Sequence, residues 1–383
     1  MLKKILAILL ALTIVGMALA GCGPTGPAEI RVGVNAELTG GIPVVGASCK
    51  NAAEMAVKEA NDAGGLEVGG TKYKVTLFVQ DNEDKAESSA AVAQKLITQN
   101  NVLALVGANA SRNAIPAATI AEDAKVPMIS PWSTNPKTTE GKKYVFRACF
   151  IDPFQGRVVA KFAMDQLKAK KASVLYDVAS EYNKGIAEVF KKTFEEAGGQ
   201  VVSFETYTTG DKDFSSQLTK IKNAGPDVLF LPNYYSEVPL QVQQAHKLGI
   251  TIPVLGSDSW GSEELIKLGG KDMEGLFFST HYAPDIATPV AKKFIDTYKA
   301  KYGSTPDDVA ALTYDSFGLL FQAIKSAGKL DRQAVRDALA KIPSYEGVTG
   351  KMQFKEGSGD PIKSAVILQI KEGKFTYFST AAP

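Results

Sequence analysis

From Glu29 onwards, short apolar runs rich in β-branched residues alternate with longer stretches whose apolar residues recur at helical spacing. That alternation constrains the fold more than any other feature of the chain. A strand, a crossover helix and a further strand close readily only as a parallel sheet with helices on both faces. Ile30-Arg31-Val32-Gly33-Val34 opens the series as a strand. Residues 48–61 (SCKNAAEMAVKEAN) read as a helix, stopped by Asp62-Ala63-Gly64-Gly65, where glycine supplies the backbone conformation that ends a helix. Strands over 75–79, 102–106 and 126–129 then alternate with helices over 85–100 and 113–124. The rhythm restarts with strands at 173–176, 228–231 and 252–255.

Two such series, each short enough for one doubly wound lobe, make a chain of 383 residues a two-lobed α/β protein. Its joint falls near Phe146-Arg147-Ala148-Cys149-Phe150. Helical stretches over 289–302 and 307–326 follow the second series and are assigned back to the first lobe. The expected division is an export segment over 1–21, a modified cysteine and tether over 22–28, lobe 1 from 29–147 plus 283–360, and lobe 2 from 148–282 plus 361–383. Several strands cross at the hinge. In open α/β sheets ligands sit beyond the carboxyl ends of strands, which directs attention to five loops. These are 107–111 (GANAS), 130–134 (SPWST), 177–182, 232–235 (PNYY) and 256–258 (GSD), an inventory of hydroxyls, aromatics and one carboxylate.

The N-terminus reads as an export signal: Lys3 and Lys4, an apolar run from Ile5 to Ala20, then small residues. Leu19-Ala20-Gly21-Cys22 resembles the bacterial lipobox, which implies a diacylglyceryl group on Cys22 and cleavage before it; an ordinary signal peptide is the alternative. The Gly- and Pro-rich stretch up to Ala28 then serves as a tether. Cleavage removes Lys3 and Lys4 from 43 basic residues and none of the 41 acidic ones, leaving a balanced chain. Such a balance argues against a broad basic surface, so no nucleic-acid partner is expected. The remaining thiols, Cys49 and Cys149, are read as unpaired and buried.

Catalysis finds little material. With two histidines and three cysteines there is no H-E-x-x-H, no C-x-x-C and no G-x-S-x-G, and neither a metal nor a cofactor is expected. Residues 65–72 (GLEVGGTK) are superficially similar to a phosphate loop, but they precede a strand and carry Thr-Lys where the loop needs Lys-Ser/Thr; a β-turn is the better reading. His246 reads as a solvated helix residue, and His281, ending the run Phe277-Phe278-Ser279-Thr280, as a hinge residue without a base role.

An ordered set of short motifs resembles the branched-chain amino-acid-binding proteins, the leucine/isoleucine/valine type of ABC-transporter substrate-binding protein with the type I periplasmic fold. They are Leu38-Thr39-Gly40-Gly41 with Gly46, EANDAGGL at 59–66, Gln80-Asp81-Asn82, LVGANAS at 105–111, VPMISPWSTNP at 126–136, VFR at 145–147 and DPFQG at 152–156. Tyr182 with Gly185, DKDFSS at 211–216, LGSD at 255–258 and VTGKMQF at 348–354 complete the set. The resemblance implies two lobes that close over a small amino acid. It places Ser111 and Thr134 on the ligand's carboxylate, Asp258 on its ammonium, and Tyr182 and Tyr234 over it from the second lobe. The residues suit those roles, since Ser111 opens a helix whose positive end favours an anion and tyrosine makes a stiff clamp. Plainer readings remain beside them: an N-cap for Ser111, a turn hydroxyl for Thr134, an Asx-turn for Asp258. A buried Asp258 would call for a cationic partner.

Departures from the family pattern fall on the side-chain pocket. Val45 stands where an aromatic is frequent, Ala110 where some members have a cysteine, and Glu83 at the position of its disulfide partner, so that disulfide is absent. Trp132 is bulky where small residues are common, and Trp260 follows the acid by two; either could narrow the pocket, cap it or point away. The resemblance implies an exported, lipid-anchored monomer on the outer face of the cytoplasmic membrane or in the periplasm, working with an ABC permease and its ATPase subunits. The alternatives are a sensory ligand-binding protein, or a binder of an amide, urea or aromatic acid.

Overall fold

A computed structural model describes residues 29–355 and 357–383; the export segment over 1–21, Cys22 and the tether lie outside the described residues. The first sheet holds β1 (Glu29–Ala36), β2 (Leu66–Val68), β3 (Thr71–Asp81), β4 (Ala104–Gly107), β5 (Met128–Ser130) and β6 (Val145–Arg147) in the order β2-β3-β1-β4-β5-β6. Its pairs are parallel except β2–β3. That hairpin turns at Gly69 and Gly70, φ +57° and +82°, and two successive positive φ values are what a two-residue hairpin turn requires. The GLEVGGTK stretch is therefore a turn, as its sequence suggests. Every residue of β4, β5 and β6 is buried, as befits strands covered by helices on both faces.

The second sheet is built on parallel strands β7 (Lys171–Asp177), β8 (Gln200–Tyr207), β9 (Val228–Phe230), β10 (Val254–Gly256) and β11 (Phe277–Thr280). A small antiparallel sheet of β12 (Ser344–Gly347), β13 (Gly350–Phe354) and β14 (Pro361–Ile362) follows. The last strands, β15 (Ala365–Lys371) and β16 (Lys374–Ala381), return to the second sheet as its antiparallel edge, giving β16-β15-β11-β10-β9-β7-β8.

Three strands of chain thus pass between the lobes: after β6, after β11, and between β14 and β15. Buried cations pin two of these passages. Arg147 directs Nη1 to the Ser133 carbonyl (2.5 Å) and Nη2 to the Asn135 carbonyl (3.0 Å) and Thr139 Oγ1 (2.7 Å). Lys363 donates to Thr349 Oγ1 at 2.7 Å and the Ala148 carbonyl at 3.3 Å, and burial pushes its pKa down to about 8.

The helices left over by the alternation join the first lobe. Helix Asp308–Ala327 packs along helix Pro43–Asp62, and Tyr314 donates to Glu59 Oε2 at 2.5 Å. The earlier helix starts five residues before the position expected from periodicity, because Pro43 occupies its first turn, where a missing N–H costs nothing. Cys49 and Cys149 are both free and buried, and burial pushes each thiol up to about 12. His246 is half-buried, with Nδ1 2.8 Å from Asp272 Oδ1, and so is less solvated than its helix suggests.

Candidate functional site

The loops after β4 and β5 meet on the first lobe. Beneath them lies Glu37, fully buried just after β1, accepting from the Asn109 and Ala110 N–H groups (3.1 and 3.2 Å), Asn109 Nδ2 (2.8 Å) and Asn113 Nδ2 (3.0 Å). Burial raises its pKa. This acid fixes the loop that ends in Ser111. Ala110, not Ser111, holds the cap position of helix Ser111–Asp123, so the simple N-cap reading of Ser111 does not hold. Its Oγ instead turns sideways to Ser133 Oγ (3.0 Å) and the Asn135 N–H (3.4 Å).

Thr134 is locked through its main chain. Arg147 holds the carbonyls on either side of it, and its own carbonyl accepts the Asp152 N–H at 2.9 Å. Its hydroxyl, by contrast, is buried without a partner. Asp152 lies beside it: no donor meets either buried carboxylate oxygen at good geometry, and burial, with the charge of Asp258, pushes its pKa up to about 8 although the neighbouring Thr134 hydroxyl draws it down.

The second lobe supplies the opposite wall. Asp258 lies in a short turn after β10, with Oδ1 accepting from Tyr182 Oη (2.5 Å) and Gln155 Nε2 (3.0 Å) and Oδ2 meeting His281 Nε2 (3.1 Å). Tyr182 sits one residue into helix Glu181–Glu196, and its Oη, donating to Asp258, accepts from Ser257 Oγ at 2.6 Å. The His281 ring stacks on Phe150 with centroids 3.8 Å apart, and burial pushes its pKa down to about 4. His281 is Asp258's salt-bridge partner among the described residues, and it is neutral at ordinary pH. A carboxylate buried to 1% exposure thus stands without an internal cation.

Between these walls is a cavity of about 160 Å³ lined by Asn109, Ala110, Ser111, Trp132, Tyr182, Tyr234 and Asp258. Six of the eight expected ligand residues line it. Thr134 stays one step behind, and Val45 lies in the hydrophobic core. The Tyr234 ring packs 5.6 Å from Tyr182 and 6.2 Å from Trp132, with the Arg112 guanidinium 4.7 Å from its centroid. Trp132 points its Nε1–H to Asp308 Oδ2 at 2.9 Å. Trp260 points away, fully buried beside Gly256, where an added Cβ would come within 2.2 Å of its ring.

Gln155, Asp308 and Glu37 escaped the sequence reading, and His281, read as a hinge residue, proves to touch Asp258. Gln155 lay inside the DPFQG motif, the one available signal; the others carry polar side chains in stretches that read as ordinary strand or helix ends. Asp258, His281 and Asp308 bring ligand-type atoms within 4.8 Å of one another. These carboxylates already accept from Tyr182, Gln155, Trp132 and Thr280, which makes the cluster a hydrogen-bonded network. The lobes touch across the cleft: Asn135 Nδ2 donates to the Glu181 carbonyl (3.0 Å), Lys137 pairs with Glu181 (2.6 Å), and the Val44 N–H meets Tyr235 Oη (3.3 Å).

Two doubly wound lobes, three crossings and a polar cavity between them define the class of two-lobed solute receptors with the type I periplasmic fold. The comparisons narrow this further: residues 29–374 match the periplasmic binding protein family, and the chain belongs to it. A leucine-, isoleucine-, valine-, threonine- and alanine-binding protein of Pseudomonas aeruginosa is 32% identical over 344 residues, 89% of this chain and 90% of its own. The crystal structure of a leucine-binding protein from Thermotoga maritima superposes with a TM-score of 0.88 at 38% identity, covering 92% of this chain and 99% of that one. A branched-chain amino-acid transporter substrate-binding protein of Streptococcus pneumoniae, crystallised with isoleucine, gives 0.87 at 34%, covering 93% and 100%.

Proposed function

We propose that the protein is the extracytoplasmic solute-binding component of an ABC importer, capturing a neutral α-amino acid between its lobes and presenting it to the permease and its ATPase subunits. The observation that carries this is Asp258, a buried carboxylate whose donors are all neutral, facing a wall of hydroxyls. A zwitterion satisfies both sides. Its ammonium gives Asp258 the missing cation, while Ser111 takes its carboxylate, with Thr134 behind it. Tyr182, Tyr234, Trp132 and Ala110 surround the side chain, and Val45 backs the wall from the core. Relatives named for leucine, isoleucine, valine, threonine and alanine support the ligand class.

Only closure lets both ends of the ligand be satisfied at once, so ligand favours the closed form that a permease can distinguish from the open one. In this reading the lobes are 29–147 with 283–360 and 148–282 with 361–383, Cys22 carries the lipid anchor, the protein acts as a monomer, and no residue has a catalytic task. Calorimetric titration with the twenty amino acids tests it. One-to-one binding of neutral amino acids is expected, and Asp258→Asn should weaken it by about 2 kcal/mol or more, since an ion pair loses one buried partner. Unchanged affinity in that variant would refute the ammonium site.

A further inference from the structure

We propose that Asp308 fixes Trp132 as the end wall of the ligand cavity and thereby restricts the protein to amino acids with short neutral side chains. The inference rests on the amino-acid reading above and names the ligand within it.

The indole is held from two sides. Its Nε1–H is bonded at 2.9 Å to Asp308 Oδ2, which Thr280 Oγ1 also approaches at 3.2 Å, and Asp308 Oδ1 accepts the Val309 N–H at 3.0 Å. Asp307 caps the same helix by accepting the Ala310 N–H at 2.8 Å, so Asp308 has little freedom to follow a moving ring. On the other side the indole packs against Tyr234, which belongs to the second lobe and is itself wedged between Tyr182 and Arg112. Retreat of Trp132 would require breaking a buried hydrogen bond or opening the lobes.

The empty space among these side chains is about 160 Å³, part of it open to solvent, so the enclosed part is smaller still. That space admits an α-amino-acid frame and a short side chain. Ala110, opposite the indole, adds no bulk, and no charged side chain other than Asp258 lines the cavity. A cationic or carboxylate side chain therefore finds no partner there, and a large apolar one meets the indole. Misfit by a single methylene in an apolar pocket changes affinity about 10- to 200-fold. Burial, reinforced by Asp307 and Asp258, raises the pKa of the Asp308 carboxyl, and its Oδ2 accepts the indole N–H hydrogen bond. The carbonyl oxygen of asparagine can accept the same bond; alanine cannot.

The test is competitive calorimetry on the purified protein and three variants, using alanine, threonine, leucine and phenylalanine. The wild type is expected to bind alanine or threonine at least about tenfold more tightly than leucine or phenylalanine. Trp132→Ala should reverse that order, Asp308→Ala should flatten it, and Asp308→Asn should restore the wild-type order. Binding of at least one of the four ligands by each variant serves as its folding control. Leucine or phenylalanine bound as tightly as alanine by the wild type, or an unchanged order in Trp132→Ala, overturns the size restriction while leaving the amino-acid reading intact. A folded wild type that binds no α-amino acid overturns both.

Discussion

Replacing Asp152 by asparagine probes a carboxyl that the fold buries without giving either oxygen a donor at good geometry. Its pKa rises from an ordinary 3.8 to about 8, chiefly through burial. Between those values the native state holds a proton that the unfolded chain has released, so stability falls as pH rises through the window and levels off above it. At pH 7 the gap to 3.8 is about three units, and at 1.36 kcal/mol per unit the site costs the folded state about 4 kcal/mol. Asparagine has no proton to retain, so Asp152→Asn should be more stable by an amount of that order at pH 7, with the gain shrinking to nothing towards pH 4. A gain of that size raises the melting temperature by roughly 8 °C at the low end of the usual range of 2–4 °C per kcal/mol. Thermal melts of ligand-free protein at half-unit steps from pH 4 to 8.5 measure it. Parallel curves for the wild type and the variant would refute the reasoning, because they would mean that Asp152 ionises as freely in the native state as in the unfolded chain.

Ser111→Ala and Thr134→Val should each weaken amino-acid binding by about 1–3 kcal/mol, the effect of losing a buried hydrogen bond, without changing the preferred side chain; calorimetry on both variants checks this. For His281 the direction is acid-sensitive. Its folded pKa lies near 4, below the ordinary 6.5, so the ring stays neutral at neutral pH and charges only on strong acidification. Once charged it gives Asp258 an internal cation that competes with the ligand's ammonium. Affinity followed by tryptophan fluorescence should therefore hold from pH 8 to 5 and fall towards pH 4; a loss complete by pH 6 would contradict the assignment.

Many of the parallel strands were legible because strands buried on both faces are apolar throughout, as at β4 and β9, whereas β8, the strands after β11 and most of the helices between β7 and β11 went unread. Helix starts were less legible: proline at 43 moved one, and Ser111 proved to be the first helical residue and not the cap. The loops that carry Ser111, Tyr182, Tyr234 and Asp258 could be read because they follow strands, while the choice of those residues within them came from the family resemblance. The orientation of Trp132 could not, because its partner Asp308 lies 176 residues further on, on a helix whose placement no local pattern reveals. Glu37, and the contact of His281 with Asp258, were hidden for a related reason: periodicity marks a buried position as apolar, and a buried polar residue is recognised only through its distant partners.

The second sheet begins with β7 and is finished by β15 and β16, the last strands before Pro383. Until residue 365 has left the ribosome, β11 has no neighbour on one side and presents a bare edge. The first sheet is complete with β6, whereas the second waits for β15 and β16. Long-range pairings of this kind make folding slow, and they put completion of the second sheet after that of the first.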